Sequence, residues 1–250
     1  MSKYYNAQRK KGLYDPSSEK PFKLSRTKIS NFLDCKKCFY LDRRLGVGQP
    51  PGYPFTLNLA VDALLKAEFD VFRANKGTHP LMQKSGITAI PADRPELKTW
   101  RENFKGIQFL HEATNLIITG AIDDLWESPG GVYHVVDYKA TSRKEPVTEI
   151  NPDYGYIEQM EVYQWLLRMN GLNVSNTGYF VYANGKKEGD FGGLLEFDMT
   201  IIHCEGDDSW VEPTIIKAHK CLNSNEIPAA SDDCDYCAYV AAVERHSAIK

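Results

Sequence analysis

Three things are missing from this 250-residue chain. No apolar run approaches the roughly 20 residues a membrane-spanning helix needs. The basic N-terminus MSKYYNAQRKKG also has no apolar segment behind it, so the expectation is a cytoplasmic protein without membrane contact. Excess charge of either sign is absent as well: 30 Lys and Arg against 33 Asp and Glu leave a formal net charge of −3. That excludes a strongly basic nucleic-acid binder, so any such contact has to come from local patches and bound metal. Finally, there is no internal repeat or low-complexity tract. What remains is an ordinary globular composition, 42% hydrophobic and 25% charged, of a size expected to fold as one domain, with or without a small appendage.

Cysteine is scarce but patterned. Of six, four form two CxxC pairs at opposite ends of the chain, Cys35 with Cys38 and Cys234 with Cys237. Without a secretion signal, such pairs read as metal ligands before they read as disulfides. Cys204, after Ile201 and Ile202 in a strand-like run, reads as an incidental buried thiol.

Residues 1–23 carry Lys3, Arg9, Lys10, Lys11, Lys20 and Lys23 with Tyr4, Tyr5 and Tyr14 interspersed. They read as a solvated, flexible arm in preference to a basic strip touching phosphates. The rest, 24–250, is expected as a single domain. A helix begins at Ser25 or Thr27 and stops at Gly46, with the first CxxC on it or at its end. After the turn-rich GVGQPPGYPF, an amphipathic helix is predicted from Leu57 to Ala74, with Val61, Leu64, Leu65, Phe69 and Phe72 on its apolar face. Residues 75–105 read as loop with short elements. Strand-like runs from Ile107, Asn115 and Val132 predict a three-stranded antiparallel meander. A helix from Tyr154 to Met169, two more strands, a helix interrupted early by Pro213 and a short final helix complete the order. It describes an α/β protein with a mixed central β-sheet flanked by helices.

Chemistry concentrates between Thr119 and Ala140, TGAIDDLWESPGGVYHVVDYKA. Residues two apart on a strand share a face, so Asp137 and Lys139 project together, while Tyr138 points away and offers its carbonyl. Asp123 lies late in the preceding run, across the turn at Pro129, Gly130 and Gly131. Two acids and a lysine therefore converge, as a site for a hard cation with an ammonium beside it requires. Mg²⁺ or Mn²⁺ takes one or two carboxylates with carbonyls and water. Such an ion makes water nucleophilic and neutralises phosphoryl charge.

GAID at Gly120–Asp123, DYK at Asp137–Lys139 and QMEVY at Gln159–Tyr163 on the following helix resemble the PD-(D/E)XK nuclease superfamily, specifically its RecB-like branch. The resemblance runs from about Leu24 to the end. It implies a restriction-endonuclease-like core and a metal-dependent DNA nuclease, exonuclease or endonuclease, in repair, recombination or defence. By the same resemblance Asp123, Asp137 and the Tyr138 carbonyl would bind Mg²⁺ or Mn²⁺, Lys139 would be the catalytic lysine, and Gln159 and Tyr163 would face the site. The partner would be DNA, as single strands or duplex ends, and any helicase or other nucleic-acid-processing partner would be a separate protein.

Two features depart from the family pattern. Its iron–sulfur members hold a cluster with one N-terminal and three C-terminal cysteines, whereas no cysteine follows Cys237 here. Segments 24–46 and 221–250 would instead be clasped by Cys35, Cys38, Cys234 and Cys237 around a [4Fe–4S] cluster or Zn²⁺, with Cys221 as an alternative ligand. Asp62 stands where RecB-like nucleases usually carry a histidine and is a candidate metal ligand or a solvated helix acid. Asp124 reads as a solvated or salt-bridged acid. The competing functions are a catalytically inactive nucleic-acid-binding or assembly subunit and a thiol–metal redox or sensor protein. Retention of both acids and the lysine argues against the first of these, since a dead site has no physical reason to keep mutually costly charges.

Overall fold

A computed structural model describes residues 5–6, 8–52 and 55–247 of the chain. Lys3 and Tyr4 of the expected arm, and Tyr53 and Pro54 of the expected linker, lie outside them. The elements run β1 (Phe22–Ser25), α1 (Arg26–Asp34), α2 (Lys36–Leu45), α3 (Thr56–Ala74), α4 (Pro80–Lys84), β2 (Ile90–Pro91), α5 (Leu97–Trp100) and β3 (Ile107–His111). They continue as β4 (Leu116–Gly120), β5 (Asp124–Ser128), β6 (Val132–Thr141), α6 (Tyr156–Met169), β7 (Thr177–Gly185), β8 (Phe197–Glu205), α7 (Val211–Leu222) and α8 (Asp235–Ser247). Two compact units share the chain: one comprises Met1–Tyr53, Leu110–Ile118 and Ser209–Lys250, the other Pro54–Phe109 and Thr119–Asp208.

The second unit is a mixed sheet flanked by helices, in the order β2-β5-β6-β7-β8. β5 and β6 pair antiparallel, β6 and β7 parallel, and β7 and β8 antiparallel. A parallel pair needs a crossover, and α6 supplies it. Alternation along β6 then sorts its side chains. Val136 and Tyr138 join Val61, Leu65 and Phe69 of α3 and Trp126 of β5 in one apolar cluster. Each large side chain fully buried there contributes roughly 1.5–3 kcal/mol. Asp137 and Lys139 take the opposite face, with Phe180 and Tyr182 of β7 as their register neighbours.

Three expectations are corrected. The meander does not form, because the run from Asn115 breaks at residues 121–123: β3 and β4 belong to a three-stranded sheet with β1, while β5 and β6 lie in the five-stranded one. At the break the Ile122 N–H bonds the Trp100 carbonyl and the Asp123 carbonyl takes Arg101, so no ladder partner is needed. Leu64, placed on the apolar face of α3, is exposed. Pro213 sits inside α7 without interrupting it. As the third residue of the helix, it lacks only an N–H that has no intrahelical acceptor there.

In the first unit, α1 and α2 are separated at Cys35, and α2 ends at Gly46 in the left-handed conformation, φ 77°. The N-terminal segment is fastened along this unit: Arg9 N–H bonds the Gly46 carbonyl, Tyr14 N–H bonds the Arg43 carbonyl, and the Tyr14 ring is buried. Among the described residues no helix is long and apolar enough to cross a membrane.

Candidate active site and thiolate cluster

The second unit gathers every acid and lysine expected at the site. Asp137, 1% exposed, forms an ion pair with Lys139 and accepts a 2.7 Å hydrogen bond from Gln159 Nε2. The Gln159 Oε1 accepts from Lys139 Nζ at 3.3 Å, and its Nε2 also donates to the Tyr163 hydroxyl at 3.2 Å. One amide therefore fixes the spacing of acid and lysine from the helix above. Gln159 and Tyr163 reach the same place because residues four apart share a helix face.

Asp123 arrives from the break before β5. Its Oδ2 accepts from the Tyr138 N–H at 3.0 Å, so the DYK strand itself orients the second acid. Its Oδ1 lies 3.0 Å from Lys66 Nζ, which also contacts Asp62 Oδ2 at 2.8 Å. Asp62 is thus joined to Asp123 through Lys66. Burial, together with the Asp123 charge, raises the Asp62 carboxyl above the ordinary aspartate value. Burial opposes the charge on Lys66, yet Asp123 and Asp62 outweigh it and raise the ammonium above its usual value.

Gly120 of the GAID segment has a steric role. A Cβ there would lie 2.7 Å from the Tyr163 ring and 3.0 Å from Leu166. Only glycine lets α6 come this close to the strand below it.

Asp124 is fully buried beneath the site, with Arg73 and Arg101 both paired to its Oδ1. Its Oδ2 accepts from the Tyr138 hydroxyl at 2.6 Å. Burial and the Asp124 charge hold the Tyr138 phenol well above its usual range, so it stays a donor. Arg101 additionally donates to the Asp123 carbonyl at 2.7 Å and pairs with Asp70. The salt-bridged reading of Asp124 is the one realised. Lys66, Arg73 and Arg101 went unnoticed in the sequence. Asp62–Lys66 and Asp70–Arg73, at i,i+4 and i,i+3 on α3, are the local signal for the first two, and nothing near Arg101 announces its partner.

The donor types are those of a hard divalent cation, although among the described residues only the four thiols, and not these carboxylates, form a group close enough to hold an ion. Carboxylates from Asp123, Asp137 and Asp62 are the oxygens such ions take. Lys66 and Lys139 already pair with this anionic group.

The first unit holds the four expected thiols together. Sγ atoms of Cys35, Cys38, Cys234 and Cys237 all lie within 4.8 Å of one another. Sulfur–sulfur separations are 3.9 Å for Cys35–Cys237, 3.6 Å for Cys38–Cys234 and 3.5 Å for Cys38–Cys237. Each pair straddles a helix start: Cys35 precedes α2 and Cys234 precedes α8, with the partner one turn inside. Helix N-termini favour thiolates. Burial would push the Cys35 thiol up, but backbone donors from Cys38 and Ser231 outweigh it and bring it down to about 6. Burial pushes Cys38 up, with the neighbouring thiols adding to the rise. Four sulfurs this close ionise together only with a cation among them. Four sulfurs held tetrahedrally at about 2.3 Å from one ion lie roughly 3.8 Å apart, and three of the six pairs stand near that distance, so the group could hold a metal ion. Cys221, on α7, is outside the group, and Cys204 is buried in β8.

No curated protein matches the chain. Among solved structures it is similar to a putative exonuclease from Eubacterium rectale, with 16% identity over 86% of this chain and 87% of that one, at a TM-score of 0.43. It is also similar to an alkaline exonuclease from Laribacter hongkongensis, with 11% identity over 90% and 93%, at a TM-score of 0.35. The family model described as PD-(D/E)XK nuclease superfamily matches residues 23–242, most of the sequence. The chain belongs to the PD-(D/E)XK nuclease superfamily.

Proposed function

We propose that this nuclease is a Mg²⁺- or Mn²⁺-dependent deoxyribonuclease of the RecB-like branch, acting on single-stranded DNA or duplex ends. The observation that carries the reading is the single hydrogen-bonded constellation of Asp137, Lys139 and Gln159, with Asp123 tied to the same strand through the Tyr138 N–H.

In this reading Asp123, Asp137 and the Tyr138 carbonyl hold the divalent ion, with Asp62 as a further carboxylate. When bound, the ion supplies an activated water and neutralises charge on the phosphoryl oxygens. Lys139 keeps an ammonium directed at the scissile phosphate, where it offsets the charge that develops in the transition state. Gln159 holds that ammonium and Asp137 at fixed separation, and Tyr163 supports Gln159. The nuclease region is 24–250, in which 24–46 and 221–250 contribute a structural clasp holding one tetrahedral ion, zinc in preference to [4Fe–4S]. A cytoplasmic location and a nucleic-acid-processing partner, a helicase or another such protein, belong to the same proposal.

Purified protein is incubated with end-labelled single- and double-stranded DNA in Mg²⁺, Mn²⁺ or EDTA. Cleavage in either metal, lost in EDTA and in Asp137→Ala, is expected. Binding without cleavage in every metal would sink the proposal in favour of an inactive DNA-binding subunit.

A further inference from the structure

Beside the acids and lysines, the second unit has an aromatic group that the proposed chemistry does not use. Lys139 Nζ stands 4.1 Å from the centroid of the Tyr156 ring and 5.8 Å from that of Phe180. Tyr156, Lys139, Tyr138 and Asp62 line one cavity of about 100 Å³. Tyr156 is therefore a wall of the candidate site. Its ring in turn meets Tyr154 at 5.4 Å, and Tyr154 is 56% exposed. Arg143 lies over the Tyr154 ring, its Cζ 5.8 Å from the centroid.

This group is built. Phe180 and Tyr182 occupy the β7 positions in register with Asp137 and Lys139, so the sheet sets an aromatic row beside the acid and the lysine. Tyr182 is a buried phenol whose pKa burial pushes up to about 12, so it remains neutral. Tyr154 closes a short 3₁₀ turn whose start is held by the Asn151 side chain, which accepts from the Asp153 N–H at 2.9 Å. Gly155, at φ 63°, then makes the reversal that lets Tyr154 and Tyr156 share one side. The Arg143 backbone is clamped reciprocally by Asn184: its N–H donates to Oδ1 at 2.8 Å and its carbonyl accepts from Nδ2 at 3.2 Å.

An exposed ring with a guanidinium beside it, one aromatic contact from a lysine that would face phosphate, matches the chemistry of an unpaired nucleotide. The base offers a π-face to the tyrosine, and the adjoining phosphate offers an anion to the arginine. A base inside a duplex has its faces taken by its neighbours. We propose that Tyr154 and Arg143 form a stacking platform for an unpaired base next to the reacting phosphate, making single-stranded ends the preferred substrate. The inference rests on the nuclease reading for its substrate but not for its test.

The test measures binding in EDTA, where no cleavage competes. A single-stranded oligodeoxynucleotide with 2-aminopurine near its end and a blunt hairpin of matched sequence are titrated with wild type, Tyr154→Ala, Tyr154→Trp and Arg143→Ala. The expected result is quenching and tight binding of the single strand by wild type. Tyr154→Ala is expected to lose the quench with about tenfold weaker affinity. Tyr154→Trp should retain the quench, Arg143→Ala should weaken single-strand binding, and the hairpin should bind wild type more weakly than the single strand does, a difference that shrinks in Tyr154→Ala. Wild-type behaviour of Tyr154→Ala, or absence of single-strand binding by wild type, overturns the platform. Parallel cleavage assays separate the two ideas. A wild type that binds and quenches but cuts in no metal removes the nuclease reading and leaves the platform standing. Cleavage with an indifferent Tyr154→Ala does the reverse.

Discussion

Lys66 Nζ lies 3.0 Å from Asp123 Oδ1, so an ammonium from α3 occupies an oxygen of an acid that the proposed mechanism assigns to a metal ion. The same nitrogen holds Asp62. Two unit charges 4 Å apart interact by about 4 kcal/mol at an effective dielectric of 20. Even a modest fraction of this changes cation affinity measurably. Lys66→Met is therefore expected to tighten Mn²⁺ binding about tenfold, read by calorimetric titration. Weaker binding in this variant would mean that Lys66 assembles the acids instead of competing for them.

Gly120 bears on the site through α6. A methyl group 2.7 Å from the Tyr163 ring forces either that ring or the helix that carries it and Gln159 to shift. Overpacking of this kind costs roughly 1–3 kcal/mol. Gly120→Ala is expected to lower the melting temperature and, in the same protein, to depress cleavage further than the lost folded fraction explains. A variant with wild-type melting and wild-type turnover would show that α6 yields freely.

The parts of this site that sequence exposes are those set by local periodicity. Alternation in DYK puts Asp137 and Lys139 on one face, and the four-residue spacing of Gln159 and Tyr163 puts both on one side of a helix. Both arrangements appear in the structure, as do the paired thiols, because each pair sits at a helix start. Long-range partners obey no such rule. Asp124 looks like a surface acid until Arg73 and Arg101 arrive from α3 and the end of α5. The apparently continuous strand from Asn115 breaks at 121–123 because its polar backbone groups find partners in Trp100 and Arg101, which no local pattern announces. Leu64 has the apolar character of a core residue, yet it lies on the outer side of α3.

The thiolate cluster predicts its own metal content. Three of the six sulfur pairs lie at 3.5–3.9 Å, near the spacing that one tetrahedral ion sets. Elemental analysis of purified protein is expected to give about one zinc per chain, without the brown colour and absorbance near ~400 nm of a thiolate-bound iron cluster. A strong chelator should lower the melting temperature, since the ion's binding energy is folding energy. Stoichiometric iron and sulfide would refute the single-ion assignment.

Asp42 sets the acid limit of the first unit. It is buried, and Arg9, Lys28 and Arg43 all pair with it at 2.8–3.1 Å. Burial works against its charge, but Arg43 and Lys28 overcome this and hold the carboxyl down at about 2. A carboxyl depressed on folding stabilises the native state above its unfolded pKa near 4, and that stability is lost as pH falls through its folded value. At about 1.4 kcal/mol per unit the contribution is on the order of 2 kcal/mol at neutral pH. Asp42→Asn keeps the shape while leaving three cations without their acceptor charge. It is expected to melt about 5 °C lower at pH 7, the scale set by the entropy of unfolding a chain of this size. Because the wild type surrenders its advantage as Asp42 protonates, the gap between the two should narrow steadily from pH 5 to pH 2. A gap that stays constant across that range would mean that Asp42 acts through its shape and hydrogen bonds and not through its charge.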